Sequence, residues 1–224
     1  MQLEKLTKRS KAETKRGYED ACGVAHALDL IGERWAPLVL RELMLGPRRF
    51  SELRADLPGI SANVLTQRLA ELEERGLVRR TKLPPPASVQ VYEATDWGLE
   101  AAPVMRALGR WAVRSPRHDA TRFVSAVSIM MSMQTMFDPR RAAGFDARLA
   151  FRFGERSYVV EVVDCTMDVR QAPADGADAV IDAPPEAVAG ILYGGAPLET
   201  VDIRGDKAVA ERFRTLFDFP AKAV

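Results

Sequence analysis

Three polar side chains, Asn63, Thr66 and Gln67, sit within a stretch otherwise patterned by leucine. Asn and Gln can each make two hydrogen bonds to an adenine edge, and Thr can meet bases or phosphates. Taken as a helix at 100° per residue, Leu65, Leu69 and Leu72 fall within about 40° of one another and form one buried stripe. Measured from Leu65, Asn63 and Gln67 then lie at about 160° and 200°, opposite the stripe, and Thr66 lies at about 100°. Ser61 stands where a helix cap is needed, and Gly76 stops the helix near residue 75. The outward face at its N-terminal end is short, polar and hydrogen-bonding, which suits a major groove. Arg68 lies at about 300°, nearer the buried edge, and has two readings: a phosphate contact, or a pair with Glu71 or Glu52.

The cations around this helix point to the same chemistry. Arg49 precedes the helix before it, where it can meet a phosphate. Arg79, Arg80 and Lys82 follow it on an alternating strand, so only one face of the three meets a duplex. Residues 1–118 hold 20 Lys+Arg against 15 Asp+Glu, and residues 119–224 hold 12 against 16. The net charge of +1 therefore conceals a basic half joined to an acidic one. That asymmetry suggests that one half touches a polyanion. Residues 1–20 are read as a basic arm, either a solvated terminus or a segment lying along nucleic acid.

Other chemistries have little to stand on. The chain of 224 residues has two histidines, His26 and His118, and two cysteines, Cys22 and Cys165. A zinc site would need scattered carboxylates, and no disulfide framework can be built. No GxSxG, HExxH, phosphate-loop or cofactor glycine motif is present, so no enzyme and no cofactor is expected. No run reaches ~18 apolar residues and the N-terminus lacks an apolar leader, so the expected location is the cytoplasm, with no membrane partner.

These residues need elements to hold them. Ala25, Leu28 and Ile31 recur at helical spacing, and Trp35, Leu38, Val39 and Leu43 restart the stripe after Gly32. Ser51 is expected to cap a short helix carrying Leu53 and Leu57. After Gly76, two alternating segments flank Pro84-Pro85-Pro86 and read as a two-stranded ribbon. One helix is expected over 96–114, with Leu99, Val104, Leu108 and Trp111 as its apolar set. Residues 115–118 mark a boundary between units at 21–117 and 118–224. Beyond it come a methionine-rich helix near 119–137, a meander of strands, a helix opened by Pro184-Pro185, a last strand, and a helix capped by Asp206.

The first unit resembles HxlR-type winged-helix transcriptional regulators. The resemblance rests on a cysteine before the first helix (Cys22), DLIGERW at 29–35, GPRRFSEL at 46–53, LPGIS at 57–61 and LTQRLAELEERGLVR at 65–79. The wing's second strand reads Val91-Tyr92-Glu93-Ala94-Thr95, with alanine where the family has leucine, so looser wing packing is expected. The resemblance implies a homodimer on an inverted repeat of double-stranded DNA, with terminal helices at the interface. Trp111, Leu108 and the 21–31 helix are the candidate interface, the alternative being internal core. It also implies that Cys22 can sense oxidants. Against that, Glu19 and Asp20 disfavour a thiolate, and a buried structural thiol is the competing reading.

The second unit resembles the sterol carrier protein type two fold, on ADAVI at 177–181 and IRGDKAVAERFRTLF at 203–217. That resemblance implies an α+β domain with a five-stranded sheet, an apolar tunnel and no catalytic residues. Met130, Met133, Phe137, Phe151, Phe153, Leu192, Phe213 and Phe217 are its candidate wall residues, methionine being adaptable to irregular apolar ligands. Core packing is the alternative for each of them. The fold class expected for the chain is therefore α+β, a winged helix-turn-helix followed by a sterol-carrier-like sheet. The function expected is a dimeric DNA-binding regulator with a small apolar effector. The alternatives are redox sensing through Cys22, or a lipid carrier with vestigial DNA binding.

Overall fold

The computed structural model describes residues 17–224. Most of the basic arm therefore lies outside the described residues, and Gly17 to Asp20 are exposed. Four helices come first: α1 (Gly23–Ile31), α2 (Ala36–Glu42), α3 (Phe50–Asp56) and α4 (Ala62–Glu74). A two-stranded antiparallel wing follows, β1 (Val78–Lys82) and β2 (Gln90–Ala94), in a register that sets Arg79 opposite Glu93 and Arg80 opposite Tyr92. Ala94 is buried against the same core despite its small size.

Local chemistry sets the boundaries. Ser61 caps α4 by accepting from the Val64 N–H at 3.3 Å. Gly76 takes φ +74, the left-handed conformation that ends a helix at little cost to glycine alone. The α3 cap differs from expectation. Arg49, not Ser51, is the N-cap residue, and Glu52 reaches back to the Arg49 N–H at 2.7 Å. Ser51 lies exposed in the first turn.

The expected helix over 96–114 is two helices, α5 (Asp96–Leu99) and α6 (Ala102–Ala112). Pro103 has no N–H to give the Leu99 carbonyl, so the first helix cannot run through it, and a proline near the start of α6 is harmless. Gly98 also lets this corner sit tight on the wing, since a Cβ there would come within 2.1 Å of the Leu77 carbonyl oxygen. The methionine helix, α7 (Ala126–Met136), begins seven residues later than expected. Asp119 bonds the Thr121 N–H at 3.0 Å and turns the chain, and Ser125 supplies the cap at 3.0 Å to the Ser128 N–H.

The second half is a five-stranded sheet with helices, as expected. Its strands are β3 (Ala147–Phe153), β4 (Arg156–Val163), β5 (Thr166–Gln171), β6 (Ala179–Asp182) and β7 (Asp202–Gly205). Their order is β5-β4-β3-β6-β7, with β3 and β6 parallel. The parallel pair needs a crossover, which is the chain between β5 and β6. Helices α8 (Pro185–Tyr193) and α9 (Lys207–Phe213) complete the half. The two halves share one contiguous core. Helix α7 joins them: it packs on α2 and α6 of the first half and on β5 and α8 of the second.

Candidate nucleic-acid interface

Helix α4 carries the polar face expected of it. Leu65, Leu69 and Leu72 are buried, while Asn63, Thr66 and Gln67 are exposed. Gln67 Nε2 donates to Glu71 Oε1 at 2.9 Å, one turn on, which holds the amide against the helix. The capping Ser61 leaves the N-terminal end of α4 open, where first-turn N–H groups and the helix dipole favour a phosphate.

Arg68 corrects one reading. Its side chain is buried and lies 2.9 Å from Glu71 and 3.2 Å from Glu33, so it is not turned toward a duplex. A guanidinium at the buried edge of the helix needs carboxylates there, and these two supply them. Together with Arg75, which donates to the Leu30 carbonyl at 2.8 Å, it fastens α4 to the end of α1. These bonds fix the angle at which the polar face is presented.

The wing cations differ in freedom. Arg79 pairs with Glu93 at 2.7 Å across the ribbon, and both are accessible to solvent. Arg80 lies 3.2 Å from Glu73 and stacks 5.7 Å over the Tyr92 ring. Lys82 is exposed near the tip, and Arg49 is exposed beside the α3 N-terminus. The sequence reading passed over Arg54, an exposed cation in the last turn of α3. Helical spacing from Leu53 and Leu57 could have marked it as outward.

Helix α6 buries none of its residues. Trp111 is 72% exposed and Val104 60%, so the internal-core reading fails for this face. On α1, Val24 and Leu28 are exposed as well. Cys22 is exposed at the N-cap of α1, which corrects the reading of a buried structural thiol. Residues 18–24 are all exposed.

The expected apolar tunnel is filled. Met130, Met133, Phe151, Leu192, Phe213 and Phe217 lie in the core. Phe213 meets Phe151 at 5.8 Å and Phe217 at 5.1 Å between ring centroids, so these rings occupy the space a ligand would need. Of the eight candidates, Phe153 lines a cleft of about 480 Å³ and Phe137 a smaller one of about 280 Å³.

The larger cleft lies at a polar junction that local patterns could not reveal. Arg156 of β4 donates two hydrogen bonds to Asp56 at the end of α3, one of them 2.8 Å long. Arg48 donates to the Tyr158 hydroxyl and, at 2.9 Å, to Gln171. Glu42 is fully buried and accepts from Ser125 at 2.7 Å and from Arg41 at 2.6 Å. Burial pushes the Glu42 carboxyl above its ordinary value, against the pull of Arg41 and Ser125. The same cause raises Tyr158.

Residues 30–119 match the family model described as HxlR-like helix-turn-helix. The chain is similar to the uncharacterized HTH-type transcriptional regulator YvaP of Bacillus subtilis (strain 168), with 40% identity over 86 residues, covering 38% of this chain and 80% of that protein. It is also similar to the HTH-type transcriptional regulator YodB of the same organism, with 37% identity over 86 residues, covering 38% and 77%. The solved reduced form of the transcriptional regulator YodB from B. subtilis aligns over 45% of this chain and 100% of that one, at 33% identity and a TM-score of 0.40. The matched family region ends at residue 119, before the sheet begins.

Proposed function

The chain belongs to the HxlR-like helix-turn-helix family of DNA-binding transcriptional regulators, and we propose that it works as a homodimer on an inverted repeat, with its acidic half as an effector-binding module. The observation that carries the DNA reading is the exposed Asn63, Thr66 and Gln67 opposite a fully buried leucine stripe. Arg49, Ser61 and one face of the wing that carries Arg79, Arg80 and Lys82 would anchor phosphates beside it. The uncovered apolar faces of α1 and α6 support the dimer. Two copies related by a two-fold axis would set their α4 helices about one DNA turn apart.

We read the second half as sterol-carrier-like in architecture, on its motifs and its five-stranded sheet with helices. It has no catalytic part in this reading. Among the described residues no helix is long and apolar enough to cross a membrane.

The deciding experiment titrates the protein with its own upstream intergenic DNA and with a shuffled duplex, at several salt concentrations. Tight binding to the native fragment alone, falling steeply with salt, is expected. Equal, weak binding to both would overturn the reading.

A second reading is favoured by one observation: the Cys22 thiol is exposed at the N-cap of α1, within reach of an oxidant. Oxidation would then release DNA. Cys22→Ser should abolish any oxidant response and leave affinity in reductant unchanged. An oxidant response that survives in C22S would exclude it.

A further inference from the structure

We propose that the cleft between the two halves is a binding site for a small amphipathic amine, and that its occupancy changes affinity for DNA. The cleft encloses about 480 Å³, which is within the range of small-molecule sites. It is lined from both halves, by Asp56 of α3 on one side and by Arg156, Asp182 and Glu186 on the other.

The charges select the ligand. Asp56 and Arg156 neutralise each other through their paired hydrogen bonds. Asp182 and Glu186 form no ion pair among the described residues, so the wall they share carries free negative charge. The start of α8 offers an anion few donors. Pro185 has no N–H, and the Ala187 N–H is bonded to the Pro184 carbonyl at 3.0 Å. Apart from Ser125, the remaining side chains of the lining are apolar, among them Phe123, half-exposed, with Phe153, Val124 and Pro185. Free carboxylates beside aromatic and proline surface recognise a cation on an apolar body.

The place of the cleft supplies the coupling. Asp56 ends α3, and five residues later Ser61 caps α4, whose polar face would meet the duplex. A ligand seated in this cleft, beside the Asp56–Arg156 pair, alters the bond that ties α3 to the sheet. It can shift DNA affinity only through a difference in its own affinity for the two arrangements. This regulatory role rests on the DNA-binding reading above.

The test uses the full chain and 4-phenylbutylamine, with 4-phenylbutanol and 4-phenylbutyrate as neutral and anionic isosteres. Calorimetry without DNA should show the amine binding at least tenfold more tightly than either control. Asp182→Asn combined with Glu186→Gln should weaken the amine about tenfold or more and leave the alcohol unchanged. Equal binding of the three compounds, preference for the anion, or no heat from any of them would overturn the site. Saturating amine should then change operator affinity at least fivefold in the wild type and not in the double variant. An unchanged affinity would overturn the regulatory role. A chain that binds amine but no duplex would overturn the DNA reading and leave the site standing.

Discussion

Arg156 Nη2 donates to Asp56 Oδ1 at 2.8 Å, joining the last turn of a DNA-reading helix pair to the first residue of a sheet strand 100 positions later. Asp56 is buried, and Arg156 is its only cationic neighbour among the described ion pairs. Removing the arginine strands a carboxylate away from water, which costs more than the pair itself contributes. Arg156→Ala should therefore destabilise the chain by about 3 kcal/mol in urea unfolding. Adding Asp56→Asn should recover part of that loss. Additive losses in the double variant would show that the two residues are not coupled.

This junction marks where the sequence stopped being informative. The leucine stripe of α4, its serine cap and its glycine stop are all local signals, and they placed the polar face correctly. The five strands were legible from alternation, because a half-buried strand repeats every two residues. Arg48, by contrast, is the neighbour of Arg49, which was read as meeting a phosphate, yet it is 2% exposed and bonded to Tyr158 and Gln171. Nothing within a helical window of Arg48 indicates partners 110 and 123 residues away. Arg68 was ambiguous for a related reason: the angle gave its edge of the helix, and only the packing of Glu33 beside it settled its partner. The aromatic residues of the second half were recognised as apolar, but whether they line a tunnel or fill it depends on three-dimensional packing.

Glu42 gives a pH dependence with a definite sign. Its folded carboxyl sits above the ordinary 4.5 because burial disfavours the charged form. The folded state thus binds more protons than the unfolded one once pH passes that value. The stability Glu42 contributes is complete below pH 4.5 and is lost as pH rises through its folded value. Glu42→Gln keeps the shape and removes the charge. The variant should melt above the wild type at pH 8 and lose that advantage near pH 4. A variant less stable than wild type at pH 8 would mean that the Arg41 pairing outweighs burial.

The recognition face makes separable demands on affinity and specificity. Asn63→Ala and Gln67→Ala should each cost about 1–3 kcal/mol on the native operator and less on a shuffled duplex. Lys82→Ala should weaken both duplexes alike and reduce the salt slope by about one. Arg68→Ala should lower the melting temperature through its lost pairs with Glu33 and Glu71 before it alters base preference. Fluorescence anisotropy over a salt series distinguishes the three patterns. A Lys82 variant that changes base preference would displace the wing from its phosphate role.

Helix α6 exposes Val104, Leu108 and Trp111 on a face with no buried residue, and such a face is costly to leave in water. A single tryptophan at the centre of an interface commonly carries about 2–4 kcal/mol of binding energy. Trp111→Glu adds a charge that the apolar partner face cannot satisfy. The variant should sediment as a monomer at concentrations where the wild type is a dimer, with its circular dichroism unchanged. Operator affinity should fall at least about 30-fold, because one half-site is lost with the partner, while affinity for an isolated half-site is preserved. A wild-type chain that sediments as a monomer at high concentration would remove the dimer from the mechanism. A dimeric W111E variant would move the interface away from α6.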